Sequence, residues 1–517
     1  MHDRFSQIFY ALTGVGRIPG VTHNTPADLS ATAAADALFE TGNAQLQAGH
    51  YAEASAAYTR ALELQPAVAQ THGNLGVALA EQGSFEAAIA HYREALRLDP
   101  AHAEAAYNWG NALRALTRYA DAVTCYDRAL AAKPDWWVAL LNRGLALAAQ
   151  GKQKQAEESY RQALAAKPDY AEAPNNLGLA LQLQGHFQAA MTQFNRAIEL
   201  SPDLANAHTN RAQLRLLLGD LRNGFAEYEW RWRLAGVGLP AIDVPGWDGA
   251  PVSGRTVLVR AEQGFGDTIQ FVRFAQALRQ AGAKVVIECP AALERLLSTT
   301  RGVSHVVVRG KPLPKCDVQI PAASLAAALK VFELSEIPAA TPYLFTDPGR
   351  VAHWRQKLAA HGGFRIGVAW KGSKGHPQDP HRSFSANQFA VLATLPGVSL
   401  VNLQIGERTP DGLRAIDLLQ QTELDTFSFA DTAAVVASLD LVIVCDTALA
   451  HLCGALGVPV WIAVSLAPDW RWLLARDDSP WYPTARLFRQ TRLDDWKGVF
   501  RRIALALARH IAVNPDR

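Results

Sequence analysis

Cysteine is scarce in this chain and scattered along it. Five cysteines occur in 517 residues, and no two of them have Cys-x-x-Cys spacing. Zinc sites and disulfide frameworks both need cysteines that are paired at suitable spacings. We therefore expect neither a zinc site nor a set of disulfides, and the scattered thiols favour a reduced, cytoplasmic environment.

A charge excess of either sign is also lacking. Lys and Arg number 50 against 48 Asp and Glu, so the formal net charge at pH 7 is +2, and no five like charges follow one another. Nucleic acids and anionic membranes attract proteins through clustered positive charge. The composition therefore favours neither of them as a partner.

Apolar runs of membrane-spanning character are missing as well. Two long uncharged stretches, 383–406 and 447–468, are interrupted by Pro, Gly, Asn, Gln or His residues, so we interpret them as helix, turn and buried strand. Near the N-terminus Asp3 stands beside Arg4, and the apolar stretch that follows is short and broken. We expect neither a membrane span nor a secretory signal peptide.

One pattern is abundant, a 34-residue period that extends from residue 35 to residue 236. Gly, Ala, an aromatic residue and Pro each return at a fixed phase in five clear repeats, and a sixth repeat is degenerate. This combination is typical of tetratricopeptide (TPR) helix pairs, which stack into a superhelix with an extended concave surface. We predict a TPR α-solenoid at 35–236, preceded by an irregular leader at 1–34.

Asparagine shares this period and falls on the first helix of each pair. The phase is occupied by Asn74, Asn108, Asn142, Asn176 and Asn210. Side-chain amides donate and accept hydrogen bonds, so a column of them can hold an extended polypeptide without reading its sequence. One hypothesis is therefore a peptide-binding ladder. The alternative is an inherited residue, since Asn is common at this phase in TPR sequences.

The periodicity changes after residue 236. Residues 237–254 are rich in Gly and Pro and are predicted to be a linker. Beyond them, apolar β-branched runs alternate with helical stretches at 255–350 and at 363–517, which indicates parallel sheets in α/β layers. We predict two Rossmann-like halves with a cleft between them, followed by a final helix at 495–511.

Ligands of open α/β sheets bind at the carboxyl ends of the strands, so the turns that follow strands are candidate sites. The first such turn contains Gln263, Gly264, Gly266 and Asp267. The two glycines permit a tight turn and a close approach by ligand. Asp267 is interpreted either as a helix N-cap or as a general base that removes a proton from an acceptor hydroxyl.

The second turn follows the predicted strand at 441–445. It contains Asp446, Thr447, Ala448 and His451. A helix that opens directly after a buried strand offers free N–H groups and a positive dipole to a phosphate. The alternative is a capped helix with a packed histidine.

A third candidate is the loop from Lys371 to Ser383, which is rich in Gly and Pro and is cationic. Such a loop suits a clamp on a diphosphate, because cations and charge-assisted hydrogen bonds hold phosphate oxygens strongly. The alternative is a set of solvated charges.

The second half resembles the GT-B glycosyltransferases, specifically the heptosyltransferase-like family 9, over residues 250–505. The most specific segments are 262–268, 446–451, 454–457 and 479–483. The resemblance implies that Asp267 is the base and that the turn after residue 445 holds the donor diphosphate. The donor-binding residues it implies are Lys371, Arg382, Gln404, Asp446, Thr447, Ala448 and His451. It also implies no metal and no cofactor, with the nucleotide-sugar as substrate, because a helix dipole and cations stabilise the leaving group.

Fusion to TPR repeats resembles the protein O-glycosyltransferases, which include bacterial enzymes that modify flagellin. We therefore expect a metal-independent, inverting glycosyltransferase that acts on Ser or Thr hydroxyls of a protein held by the repeats. The alternatives are a TPR adaptor whose transferase-like half is inactive, and a transferase whose acceptor is a glycan or a lipid.

Overall fold

The computed structural model describes residues 26–372, 379–411, 413–417 and 428–513. These residues divide into two compact units, one ending at Gln150 and one beginning at Gly151. The division falls inside the fourth repeat and not at the predicted linker. The physical reason is that the last repeats pack against the α/β part and belong to the same unit as that part.

The first unit consists of antiparallel helix pairs in its described residues. Its helices are α1 (Pro26–Gln47), α2 (Tyr51–Leu64), α3 (Ala69–Glu81), α4 (Phe85–Leu98), α5 (Ala103–Ala115), α6 (Tyr119–Ala132) and α7 (Trp137–Ala149). The prediction of an irregular leader at 1–34 is wrong for its last nine residues, because α1 begins at Pro26. Pro is well placed in the first turn of a helix, and the Ala-rich stretch that follows has high helix propensity.

Close packing inside each repeat depends on the periodic glycines. A Cβ atom on Gly76 would lie 2.5 Å from the Tyr92 ring, and one on Gly110 would lie 2.6 Å from the Tyr126 ring. The glycine therefore receives the aromatic ring of the second helix of the same repeat. The two helices can approach only because this position has no side chain.

The second unit begins with five more helices of the repeat region. They are α8 (Gln153–Ala166), α9 (Glu172–Leu183), α10 (Phe187–Leu200), α11 (Ala205–Leu217) and α12 (Leu221–Tyr228), and a short 3₁₀ helix follows at Glu229–Arg233. The sixth repeat departs from the glycine–aromatic pattern, and its own two helices, α11 and α12, meet at Gly224, where a Cβ atom would lie 2.7 Å from Leu216.

A four-stranded parallel sheet follows the linker. Its strands are β1 (Thr256–Arg260), β2 (Lys284–Cys289), β3 (Val303–Val308) and β4 (Val318–Pro321), in the order β3-β2-β1-β4. The helices of this half are α13 (Phe265–Phe271), α14 (Ala275–Gln280), α15 (Glu294–Leu297) and α16 (Leu325–Ala328).

The second sheet is also parallel, with strands β5 (Phe364–Ala369), β6 (Val398–Asn402), β7 (Ala415–Ile416), β8 (Leu441–Cys445), β9 (Val460–Val464) and β10 (Ala485–Arg489). Its order is β10-β9-β8-β5-β6-β7, which is the order of doubly wound nucleotide-binding sheets. The remaining helices are α17 (Pro348–Leu358), α18 (Asp379–Arg382), α19 (Ala390–Ala393), α20 (Phe429–Val436), α21 (Ala448–Leu456) and α22 (Trp496–Val513).

The α/β architecture is therefore as predicted, while its detail differs in two respects. The helical segment that follows β1 is not continuous but is divided into α13 and α14 by a 3₁₀ turn at Val272–Phe274. Strands β4, β7 and β10 were not predicted, because β4 and β7 are short and β10 contains two Arg residues that lower its apolar signal. No helix within the described ranges is long and apolar enough to cross a bilayer.

Candidate functional site

Both sheets reverse their strand order at a point that the sequence marked as a candidate site. In the first sheet the chain leaves β1 toward β2 and later returns to β4 on the other side of β1. In the second sheet the same reversal separates β5 from β8. Ligands of open α/β sheets bind outside the carboxyl ends of strands at such points. The turns after β1, β5 and β8 all lie there.

The turn after β1 is held by the carboxylate of Asp267. Gly264 is the N-cap of α13, and its backbone N–H donates to Asp267 Oδ2 at 2.9 Å. Asp267 therefore occupies the third position of the helix and caps it from there, and the interpretation of Asp267 as the N-cap residue itself is wrong. The preceding residue, Gln263, has φ 57°, in the left-handed region that is costly for a residue with a side chain.

The other carboxylate oxygen of Asp267 pairs with Arg471, which lies in a 3₁₀ helix after β9. The Arg471 guanidinium also bonds Asp469 at 2.8 Å and donates to the side chain of Gln270. Burial would lower the pKa of Arg471, but Asp469 and Asp267 outweigh it and raise that pKa above its usual value. Arg471 thus stays charged and joins the two α/β halves.

The turn after β8 opens α21, with Thr447 as its N-cap. The Thr447 side chain makes no capping hydrogen bond, and within the described residues its buried Oγ1 atom has no hydrogen-bond partner. Thr447 and Ala448 are half-buried, while the rest of the helix to Ala455 is buried. The free N–H groups at the start of α21 and the Thr447 hydroxyl therefore form a polar end on an apolar helix.

Asp446, directly before Thr447, is a buried carboxyl group. Burial and the neighbouring Asp469 carboxylate raise the pKa of Asp446 to about 6, against the opposing effect of Arg382. A carboxyl group with this pKa exchanges its proton close to neutral pH, and in the protonated form it can donate a hydrogen bond.

His451 lies one turn into α21 and is buried against aromatic residues. Its Nδ1 atom shares a 2.8 Å hydrogen bond with the Tyr482 hydroxyl, and its ring stacks on Trp472 with 5.3 Å between ring centroids. Burial, followed by Arg471, Arg273 and Arg382, lowers the pKa of His451 well below its usual value. His451 is thus neutral at pH 7.

The turns after β1 and β8 meet at Gly266. A Cβ atom on Gly266 would lie 2.8 Å from His451 Cδ2 and 3.4 Å from the Cα atom of Ala448. The predicted role of Gly266 was close approach by a ligand, whereas the residue that approaches it is His451 of the other half. The two candidate turns therefore form one site, with Asp267 on one side and the start of α21 on the other.

In the loop after β5, residues that were predicted to contact a diphosphate form hydrogen bonds and ion pairs within the protein. The Gln404 side chain accepts hydrogen bonds from the backbone N–H groups of Trp370 at 3.0 Å and Lys371 at 2.9 Å. The Lys371 ammonium bonds Glu407 at 2.7 Å. The Nε atom of Arg382 lies 3.5 Å from Oδ1 of Asp379, and the Arg382 guanidinium group lies next to Gly372. Residues 373–378 of the predicted clamp lie outside the described residues.

Arginines 273 and 471 were missed by the sequence reasoning. Arg273 donates to the carbonyl oxygens of Pro338 and Trp481, at 3.2 and 2.7 Å, and to the Tyr343 hydroxyl at 3.1 Å. An arginine between two tryptophans, shortly after a buried strand, was the available signal, since guanidinium groups stack on aromatic rings.

The asparagine column forms hydrogen bonds within the protein at several positions. Asn74 Nδ2 donates to Asn43 at 2.9 Å, and Asn210 Nδ2 donates to Asn175 at 2.9 Å. Asn142 is buried and donates to the Tyr107 hydroxyl at 2.9 Å. The amides at the remaining two phases, Asn108 and Asn176, are half-buried. Peptide binding by the asparagine column stays a prediction. Three of its side-chain amides already form hydrogen bonds between adjacent repeats.

Metal ligands are not grouped in the described part of the chain. No cluster of three or more His, Cys, Asp or Glu side chains there could hold a metal ion. The charged groups that surround the start of α21 are instead guanidinium groups and single carboxylates.

Family models for the tetratricopeptide repeat match residues 39–103, 107–171 and 171–204. These residues cover the first five predicted repeats, so the TPR prediction is confirmed for this region. TPR repeats indicate protein or peptide binding.

One curated relative is Protein FlbA of Caulobacter vibrioides, which is 28% identical over 324 residues. The alignment covers 57% of this chain and 54% of FlbA, so the chain spans about half the length of this relative. One similar solved structure is MamA, which is 26% identical, with 33% of this chain and 94% of MamA covered and a TM-score of 0.32. Another is Pseudomonas aeruginosa PilF, which is 22% identical, with 40% of this chain and 94% of PilF covered and a TM-score of 0.36. A third is YrrB, described as a TPR protein with an unusual peptide-binding site. It is 24% identical, with 34% of this chain and 91% of YrrB covered and a TM-score of 0.31.

Replacing Gly266 with Ala should push α13 away from α21. The added methyl group meets a histidine ring that Tyr482 and Trp472 hold in place, and it meets the backbone at Ala448. Overpacking of this kind costs about 1–3 kcal/mol, which exceeds the gain of up to about 1 kcal/mol in helix propensity. Thermal unfolding should show a lower midpoint for Gly266→Ala and an unchanged one for Gly238→Ala, where a Cβ atom has open space. Equal midpoints would contradict this packing.

Replacing Asp446 with Asn should change how stability depends on pH. A carboxyl group whose pKa is raised in the folded state, here to about 6, contributes its full stability below the unfolded pKa near 4 and loses it as the pH rises through 6. Relative to Asp446→Asn, the wild type should therefore lose about 2 kcal/mol between pH 4 and pH 7. Denaturant titrations at several pH values measure this difference, and parallel pH curves for the two proteins would rule it out.

Proposed function

We propose that the α/β part is a GT-B-type glycosyltransferase that moves a sugar from a nucleotide-sugar to a hydroxyl group of a protein. The observation that carries the proposal is the start of α21. There, the buried Thr447 hydroxyl has no hydrogen-bond partner among the described residues and lies next to the free N–H groups of the first turn. This turn lies where the strand order reverses, in a sheet with the order of nucleotide-binding folds. Each of these groups would donate a hydrogen bond to a phosphate oxygen.

The electrostatic field around this helix supports an anionic ligand. Arg471, Arg273 and Arg382 all act to lower the pKa of His451, so three guanidinium groups lie near the first turns of α21. The same field would stabilise a nucleoside diphosphate as it leaves the sugar. This is the physical basis for proposing transfer that needs no metal and no other cofactor.

Asp446 would contribute in its protonated form. A bound diphosphate adds negative charge next to a carboxyl group whose pKa is already raised to about 6, and a like charge raises it further. Asp446 would then be protonated at neutral pH and could donate a hydrogen bond to the phosphate. His451 would act as a neutral group that positions α21, because its pKa is too low for a charge at pH 7.

Asp267 would be the base. In the proposed step, the acceptor oxygen attacks the anomeric carbon and the bond from that carbon to the diphosphate oxygen breaks with inversion. The proton of the hydroxyl passes to the Asp267 carboxylate. Arg471 touches this carboxylate and lies on the donor side, so the leaving diphosphate could compete with Asp267 for its guanidinium group. The repeats would hold the acceptor polypeptide, for which the TPR fusion suggests a flagellin-like protein.

A second candidate function is a TPR adaptor with an inactive transferase-like half. One observation favours it, namely that both carboxylate oxygens of Asp267 are occupied, one by the Gly264 N–H and one by Arg471. A base needs a free oxygen that an acceptor can reach. In the adaptor, Asp267 and Arg471 would only hold the two halves together.

Nucleotide binding tests the proposed donor site. Screening UDP, GDP, ADP, TDP and CMP by thermal unfolding should identify a nucleotide that stabilises the protein by about 2.7 kcal/mol at 100 times its dissociation constant. Thr447→Val keeps the shape and loses only the hydroxyl, which makes no capping bond, so the variant should fold normally and bind the nucleotide about tenfold more weakly.

Thr300→Val is the matched control, because the Thr300 hydroxyl is also buried without a partner in the described residues and lies outside the site. It should bind the nucleotide like the wild type. A wild type that no nucleotide stabilises, or equal binding by both variants, would remove the argument from the start of α21.

Asp267→Asn separates the enzyme from the adaptor. Nucleotide stabilisation should persist in this variant, while sugar transfer to a protein or peptide acceptor, followed by mass spectrometry, should fall by at least about 100-fold for a lost general base. Asp469→Asn is the control for the lost contact with Arg471, since Asp469 is the other carboxylate on that guanidinium group. Transfer retained in Asp267→Asn would refute its role as base. Nucleotide binding by the wild type without transfer would favour the adaptor.

A further inference from the structure

The sixth repeat makes contact with both α/β halves. The Arg231 guanidinium bonds both carboxylate oxygens of Glu262, at 2.8 and 3.1 Å, and this pair is buried. Phe225 packs edge-on against Trp470 of the other half, with 5.6 Å between ring centroids. The end of the repeat array is therefore fixed beside the candidate site by both a charged and an aromatic contact.

One side chain of this repeat reaches the candidate turn directly. The hydroxyl oxygen of Tyr228 lies 3.0 Å from Nε2 and 3.2 Å from Oε1 of Gln263. Tyr228 is buried, whereas Gln263 and Gly264 are exposed. A fixed hydroxyl group thus holds the side chain of an otherwise exposed turn.

Gln263 needs such support, because its backbone has φ 57°. A non-glycine residue keeps a left-handed conformation only where its surroundings impose it. The residue that follows is Gly264, whose N–H group bonds the carboxylate of Asp267. The position of the proposed base therefore depends on a chain of contacts that begins at Tyr228.

The repeat pattern indicates that the Tyr228 hydroxyl is not needed by the repeat itself. Tyr228 stands at the same phase as Tyr126 and Phe194, which are 102 and 34 residues earlier. At this phase the ring packs between the two helices of a repeat, and Phe194 does so without a hydroxyl group. The hydroxyl of Tyr228 is thus free for a role outside its own repeat.

We propose that Tyr228 is a positioning residue for the candidate active site. Its hydroxyl group holds Gln263 in the left-handed conformation that places Gly264 and Asp267, so the last TPR repeat supplies part of the transferase site. This inference rests on the proposed function and adds to it a residue from outside the α/β part. It also means that deleting residues 35–235 would disrupt the site as well as remove a binding surface.

The test compares Tyr228→Phe with Tyr126→Phe in the full-length protein. In the control, the Tyr126 hydroxyl donates to the side-chain oxygen of Asn111 at 2.8 Å. Tyr126→Phe therefore also removes a tyrosine hydroxyl that bonds a side-chain amide, but in the third repeat. Hydrogen exchange of the segment 261–268, read by mass spectrometry, reports the turn independently of activity. Exchange there should rise in Tyr228→Phe and stay at the wild-type level in Tyr126→Phe.

Kinetics provide the second readout. Tyr228→Phe should lower kcat for transfer about tenfold and leave KM for the nucleotide-sugar unchanged, because the donor site at α21 is not touched. A purely structural defect would move the melting temperature and both kinetic constants together.

The outcomes separate this inference from the proposed function. Unchanged exchange at 261–268 in Tyr228→Phe overturns the positioning role, whatever the activity. Raised exchange with unchanged kcat also overturns it. A wild type without transfer removes the proposed function, and the exchange result still decides whether Tyr228 holds the turn.

Discussion

The close approach of α13 to α21, which the missing side chain at Gly266 permits, determines the geometry around the candidate site. Because the two helices touch there, Asp267 of one half reaches Arg471 of the other. Buried charges are tolerated only when they are paired, so this contact also stabilises the guanidinium group that it brings in. Arg273 reinforces it by donating across the same boundary to Trp481. The halves are thus joined by hydrogen-bonded cations as well as by apolar packing.

The same cations act on two titratable groups of the site, His451 and Asp446. Burial disfavours the charged form of both His451 and Asp446, and the guanidinium groups lower the pKa of both. The positive field adds to the effect of burial on His451, whereas for Asp446 it opposes burial and leaves the pKa near neutrality. The pKa of His451 is therefore lowered and that of Asp446 is raised, although the same cations act on both groups.

The sequence was sufficient for the repeats and the α/β architecture, but not for the contacts around the candidate site. A 34-residue period and alternating strands and helices are local patterns, so the repeats and the parallel sheets could be predicted from them. The turns at Asp267 and Asp446 could be found for the same reason, since both directly follow buried strands. Their meeting could not, because Gly266 and His451 are distant in the chain. Arg471 was overlooked because its role depends on partners some 200 residues away. The hydrogen bonds between the Gln404 side chain and the backbone after β5 could not be predicted either, because their partners are 33 and 34 residues apart in the chain.

The fixed position of the sixth repeat also limits how an array of this kind can evolve. Repeat arrays lengthen and shorten by duplication or loss of whole units, and this is tolerated because each unit contacts only its neighbours. The terminal unit here is an exception, since Arg231 and Tyr228 bond residues of the α/β part. Gain or loss of an earlier repeat would leave these bonds in place, whereas loss of the last repeat would remove them.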